Sequence, residues 1–441
     1  MIERLERLIF YALIVLLPVQ LGIHFWPQFA FINGIRVDYL SPTLYISDIF
    51  ILLLFLFFIF KIFKKKLKIS IPKEYIFSIT VFLGAIFILF FVAKSPMAHL
   101  FIFLKMLEFI FLGIYIAKSF TKRDTPFFID AISVGSVVSC TLAIWQFINQ
   151  SSVGGFWYFL GERSFTKFST GIALANFNGT NLLRPYATFA HPNILAFFLL
   201  TVVVFVSMRI AWEKGIEKVF LFLVLLLSVG TLLLTFSRTA IFCLIIFLLF
   251  YIFSLIKKKK QVYLVLFFLT AIVIYLLYFP ARFFKPEILL TDLFYRRDLF
   301  FIAYDTFIKN PYLGVGLGNF YIHESFYQRI ISPTLLQPVH NIYVLFIVEL
   351  GIIPLVLIAQ IIIDSVKTIF KKIKKSKKEI KDFYISTFIV LVSFLFVGFF
   401  DHFLITLQQG ELLLSIIIGL SWSSLKIKAP ASEKVARGAD K

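Results

Sequence analysis

Twelve apolar runs, each about as long as a bilayer is thick, confine this 441-residue chain to one kind of architecture. They cover approximately residues 8–23, 44–60, 75–92, 99–117, 126–149, 193–208, 218–236, 239–256, 262–279, 341–364, 384–400 and 409–425. Backbone in hydrocarbon has to satisfy its own N–H and C=O groups, and segments of this length do so as helices. The expected fold is therefore an all-α polytopic membrane protein: a single transmembrane domain over residues 1–441 with about twelve transmembrane helices. Composition excludes the alternatives, because 60% of the residues are hydrophobic and only 15% charged, against about 25% charged in a soluble domain. Disorder, collagen, coiled coil and a disulfide scaffold fail on the same figures. Cys140 and Cys243 both fall inside apolar runs and read as buried thiols. Arg4 and Arg7 precede the first run without a small-residue cleavage site, so that run reads as an uncleaved span.

The formal charge of +20 would suggest nucleic acid in a soluble protein, but in a membrane protein its distribution matters more. Alternate connections are strongly basic: Lys61 to Lys73, Lys118 to Arg123, Arg209 to Lys218, Lys257 to Lys260, Lys367 to Lys381 and the tail after Leu425. With the amino terminus they hold 31 of the 44 Lys and Arg, and the other connections hold 12. Cytoplasmic loops carry such an excess, so both termini are expected inside. The lysine runs then set topology and touch anionic lipid, and no nucleic-acid partner is expected.

Two connections on the opposite, extracytoplasmic side are long, residues 150–192 and 280–340, while 426–441 forms a cytoplasmic tail. The first carries Gly154, Gly155 and Gly161 among aromatics. The second opens with Pro280 and Pro286, continues with an amphipathic helix over about 291–309, and then turns through Asn310-Pro311 to Gly314, Gly316 and Gly318. Loops held by a rigid scaffold are where function usually sits.

The polar residues at that edge are Arg184, His191, Arg238, Arg296, Arg297, His323, Glu324, His340, Glu349, Asp401, His402 and Glu411. Arginine grips phosphate oxygens with a planar fork and keeps its charge, and histidine accepts a proton near neutral pH. Arg238, in Thr235-Phe-Ser-Arg-Thr239, interrupts an apolar stretch; it reads either as a functional cation or as a hairpin residue snorkelling to headgroups. Arg184-Pro185 to His191-Pro192-Asn193 leads into the sixth run, and a helix amino terminus favours an anion; a plain cap is the alternative. His340-Asn341 opens the tenth run, followed by Glu349, Gly351 and Pro354. Lys105 and Glu108, one turn apart, read as a mutually neutralising pair. The six histidines show no metal-ligand spacing, so neither a metal nor another cofactor is expected, and the alternating glycines do not match a nucleotide loop.

Three blocks in order resemble the O-antigen ligase and polymerase superfamily: Arg184 to Asn193 with Leu195-Ala196; Leu234 to Arg238-Thr-Ala; and Arg296 through Asn310-Pro311 to His340-Asn341, with Glu349-Leu-Gly351. The ligase pattern places Gly, Thr or Tyr where this chain has Pro354, a departure that bears on ligase against polymerase. The resemblance implies a GT-C-like fold with a helical extracytoplasmic region, in the inner (plasma) membrane. It implies metal-independent, inverting transfer of a glycan from undecaprenyl diphosphate to an acceptor, either a lipid A-core sugar (ligase) or another repeat unit (polymerase). By the same resemblance His340 is catalytic, and Arg184, Arg238 and Arg296 bind the donor diphosphate. His191, Asn193, Asn341 and Glu349 stand beside them as supporting residues. The partners so implied are the lipid-linked donor, a glycolipid or glycan acceptor, and membrane lipids.

The rival from another class is a lipid-linked glycan transporter. It predicts internal repeats, broken helices and polar groups at the bilayer midplane. In this chain the polar groups gather at one edge, and the two halves differ.

Overall fold

The apolar runs are mostly helical in the computed structural model, which describes residues 2–65, 67, 71–177, 179–255, 259–278, 286–327 and 336–425, but the first helix ends at Val15, short of the run expected to reach residue 23. Pro280 and the tail 426–441 lie outside the described residues. The first nine runs are α1 (Ile2–Val15), α2 (Ile46–Phe63), α3 (Lys73–Val92), α4 (Pro96–Ser119), α5 (Asp124–Asn149), α6 (Pro192–Ile210), α7 (Gly215–Leu234), α8 (Arg238–Leu255) and α9 (Lys259–Tyr278). Four helices then belong to the connections or to broken runs: α10 (Pro286–Lys309), α11 (Phe320–Tyr327), α12 (Ile342–Leu350) and α15 (Phe403–Thr406). The remaining runs give α13 (Ile352–Lys375), α14 (Lys378–Val397) and α16 (Gln408–Trp422). Among the described residues eight helices, α2 to α7 with α13 and α14, are long and apolar enough to cross a membrane. The protein is an all-α polytopic membrane protein.

Burial explains the arrangement. α6 is apolar on every side and almost wholly buried, the signature of a central helix. It packs against α5, α7, α8, α14 and α16. The outer helices expose apolar faces instead, as Phe77, Phe87 and Phe91 of α3 do.

The tenth run differs from the expected span of 341–364. It breaks at Gly351, which has φ +71° and separates α12 from α13. A Cβ there would clash with the backbone carbonyl of Tyr312, so the break is fixed by the glycine-rich turn packed against it. The spanning helix is therefore α13, and α12 lies outside it. Short antiparallel pairs occur in the connections: β1 (Gly22–His24) with β4 (Thr43–Tyr45), β2 (Phe31–Ile32) with β3 (Ile35–Arg36), and β5 (Leu174–Phe177) with β6 (Thr180–Leu183).

Lys105 and Glu108 pair at 2.9 Å, within a larger network. Lys105 also meets Asp48 at 2.9 Å, and Gln408 Nε2 donates to Asp48 Oδ1 and to Ser47 Oγ. Charged and polar groups of the two halves thus meet at the amino-terminal ends of α2 and α16, and most of their hydrogen-bonding capacity is spent on one another.

Candidate functional site

The site forms at the end of the bundle opposite the lysine-rich connections, where the amino terminus of α6 meets the carboxyl terminus of α14. His191 caps α6: its Nδ1 accepts from the Asn193 backbone N–H at 3.1 Å, with Pro192 at the first helical position. The loop before it is pinned at several points. Gln146 of α5 accepts from the N–H groups of Tyr186 and Ala187 and donates to the Ala187 carbonyl, and Thr188 donates to Pro18 O at 2.6 Å.

Arg184 is held by this framework while nearly buried. Its Nε donates to Thr235 O at 2.7 Å and its Nη2 to Asn193 Oδ1 at 2.6 Å. Thr235 closes α7, and Arg238 opens α8 three residues later, so the second sequence block is tied to the first through a backbone carbonyl. Asn193 turns its other end to α14: Nδ2 donates to Asp401 Oδ2 at 2.7 Å. Asp401 Oδ1 accepts from the His402 N–H at 2.8 Å.

His340 arrives from the other direction. Asn341 caps α12, its Oδ1 accepting from Tyr343 and Val344 N–H at 3.0 Å, and its Nδ2 donates to Phe399 O at 3.3 Å. Ile342 N–H donates to Gly398 O, and Tyr343 Oη to Leu395 O. These contacts zip the segment onto the end of α14 and bring the His340 ring to 5.0 Å from that of His402. His402 Nδ1 pairs with Thr406 Oγ1 at 2.7 Å, and Tyr39 meets the ring edge-on. Arg296 of α10 donates from Nη1 to Phe400 O at 2.5 Å, one residue before Asp401.

The electrostatics follow from this crowding. Burial and the Arg184 guanidinium push His191 down to about 3 against the pull of Asp401. Burial, opposed by Asp401 and reinforced by His340, takes His402 down to about 3. Burial alone would raise Asp401, but the imidazoles of His402, His340 and His191 and the Asn193 N–H outweigh it and hold the carboxyl well below the usual carboxylate range. Around neutral pH the cluster therefore holds one carboxylate, the neutral imidazoles of His191 and His402, and fixed guanidinium charge.

Six of the eight residues singled out from the sequence fall in this framework: Arg184, His191, Asn193, Arg296, His340 and Asn341. Arg238 adjoins it at the head of α8. Glu349 sits apart: it is buried in α12, where the N–H groups of Gly318 and Phe320 face its carboxyl and its own carbonyl accepts from Gly316 at 2.8 Å. It clamps the glycine-rich turn. Burial pushes it up to about 8.

Three further contributors carry no signal along the chain that assigns them to the site. Asp401 and His402 stood among the edge residues, yet nothing local links them to a histidine some sixty positions upstream. Arg163 carries no motif at all; its Nη2 donates to Ala190 O at 2.7 Å, its guanidinium lies over the Tyr186 ring, and Tyr186 meets His191 edge-on.

Could the cluster take a metal? Ligand atoms of His340, Asp401 and His402 lie within 4.8 Å of one another, close enough to converge on one ion. However, both Asp401 oxygens already accept hydrogen bonds, Arg184 is one residue away through Asn193, and Arg296 is anchored at Phe400. A dication would sit among fixed positive charges. An anion beside a neutral proton acceptor fits the same groups better.

Residues 221–359 match a family model described as O-antigen ligase. The matched segment includes Arg238, Arg296, His340, Asn341 and Glu349, and leaves out Arg184, His191, Asn193, Asp401 and His402. No curated protein matches the chain.

Proposed function

From the O-antigen ligase and polymerase superfamily, which the match over residues 221–359 supports for this chain, we propose a glycosyltransferase that works at the extracytoplasmic face of the inner membrane. It moves a glycan from undecaprenyl diphosphate to an acceptor sugar hydroxyl, in the ligase reading a lipid A-core sugar. One observation carries this: the His340–His402–Asp401 cluster is wired through Asn193 to the buried guanidinium of Arg184.

The chemistry asks for little else. The acceptor oxygen attacks the anomeric carbon, the bond from that carbon to the diphosphate oxygen breaks, and the electron pair leaves on the diphosphate. His340 takes the proton from the attacking hydroxyl, a step worth about 10²–10⁴-fold. Asp401 and His402 beside it stabilise the imidazolium that forms. Arg184, Arg238 and Arg296 meet the departing charge, so that fixed cations supply the leaving-group stabilisation and the displacement inverts the anomeric centre.

A polymerase is the second reading, favoured by Pro354 where the ligase pattern has Gly, Thr or Tyr. The transporter reading is weaker, since Lys105, Asp48 and Glu108, all from the first half of the chain, are paired with one another. The test is glycan transfer by purified protein from a lipid-linked donor to lipid A-core or to a second donor molecule. Product from the first acceptor identifies a ligase, and from the second a polymerase. Undiminished product from both His340→Ala and Arg238→Ala would overturn the proposed site.

A further inference from the structure

We propose that the carrier's prenyl chain lies in the membrane-facing seam between α8 and α14, on Phe242, Phe396 and Phe400, with its diphosphate at Arg238 and Arg296. This deepens the transferase reading and rests on it for the identity of the carrier.

The seam is built from two stripes that share a head. On α8, Arg238, Phe242 and Ile246 follow one another at four-residue spacing and so lie on one face. Phe242 is 49% exposed and Ile246 51%, so this face looks out of the bundle. On α14 and its end, Val392, Phe396 and Phe400 repeat the spacing, with Val392 and Phe400 both 43% exposed. The stripes join through their rings: Phe242 stacks on Phe396 at 5.2 Å, and Phe396 meets Phe400 at 5.1 Å. From Val392 to Phe400 this floor extends about 12 Å along the helix.

What sits at its head decides the occupant. Phe400 O holds Arg296, the next residue is Asp401 of the histidine cluster, and Arg238 lies one turn from Phe242. Cations above an apolar aromatic strip complement an amphiphile with a multiply charged anionic head and a hydrocarbon tail. An isoprenoid diphosphate has that form, and its flat alkene units pack on ring faces. A chain lying here places the diphosphate beside the imidazoles without passing through the packed core around α6.

The experiment uses full-length protein in nanodiscs and a polyprenyl diphosphate carrying a diazirine on its chain. Photolabelling is expected on peptides of α8 and α14, displaced by undecaprenyl diphosphate but not by equal phosphatidylglycerol. In the Phe242→Ala/Phe396→Ala protein, the preference for the undecaprenyl over the geranyl diphosphate is expected to fall about tenfold. Leu56→Ala, on the exposed face of α2, serves as the comparison for a lipid-facing truncation elsewhere. Label on other helices, equal displacement by phosphatidylglycerol, or an unchanged chain-length preference in a folded double variant would each overturn the seam. Glycan transfer with label elsewhere defeats the seam alone. Correct labelling in a protein that transfers no glycan defeats the transferase reading and leaves the seam standing.

Discussion

Arg184 and Asp401, 217 positions apart, are joined through a single side chain: Asn193 accepts from the guanidinium at 2.6 Å and donates to the carboxylate at 2.7 Å. The amide makes both bonds at once, whereas an ionised carboxylate lacks the donor and an ammonium lacks the acceptor. The link fixes the distance between the cation and the carboxylate beside the imidazoles.

Asn193→Leu should therefore cost both stability and activity. It removes one hydrogen bond from each of two buried charged groups, a loss of about 2–3 kcal/mol. Thermal melting of the purified protein reads the first effect, and glycan transfer at saturating donor reads the second. Asn193→Asp should be as damaging, because it sets a second carboxylate against Asp401. Wild-type melting in Asn193→Leu would show that the link contributes nothing to the fold.

His340→Gln is expected to lower turnover by about 10²–10⁴-fold while leaving donor affinity near the wild-type value. The split follows from geometry, as His340 lies with His402 and Asp401 whereas the donor head is assigned to the arginines. Equal losses in turnover and in binding would place His340 in the donor site instead.

Stability should show two opposed pH limbs. An unfolded histidine titrates near about 6.5, whereas His191 and His402 are held down to about 3. Between those values the unfolded chain binds protons that the folded one refuses, so their contribution is complete above the ordinary value and fades as pH falls. Asp401, held below its ordinary range, adds to the same acid loss. Glu324 and Glu349 act oppositely: burial takes each up to about 8, so their contribution is complete below the ordinary carboxyl value and fades as pH rises toward the folded one. Melting curves across pH should show His402→Gln flattening the acid limb and Glu349→Gln the alkaline limb.

Gly351→Ala and Gly314→Ala should each destabilise the region around the histidines. Both glycines have φ +71°, and each would drive a Cβ into the other's segment: onto Tyr312 from Gly351, and onto Glu349 from Gly314. Left-handed strain alone costs about 1–3 kcal/mol per site, before the clash. Because they press on one another, the double variant should lose less than the sum, measured by thermal melting.

The sequence already contained the membrane architecture, because apolar length and lysine asymmetry are local consequences of a bilayer acting as solvent. It also contained Arg184, His191, Asn193 and His340 as polar residues at or ahead of helix starts, where residue type limits what chemistry they can do. Other features were decided by contacts that no window along the chain can see. The apolar run at 341–364 reads as one span; it breaks because Gly351 lies against Tyr312, some forty residues upstream. Asp401 and His402 look like the polar end of an ordinary span until the fold lays His340 beside them. Arg163 looks like any loop cation until it reaches Ala190. Periodicity records which solvent each residue faces, so it survives in one dimension. Pairing between distant side chains depends on how the helices pack, and only the tertiary structure supplies that.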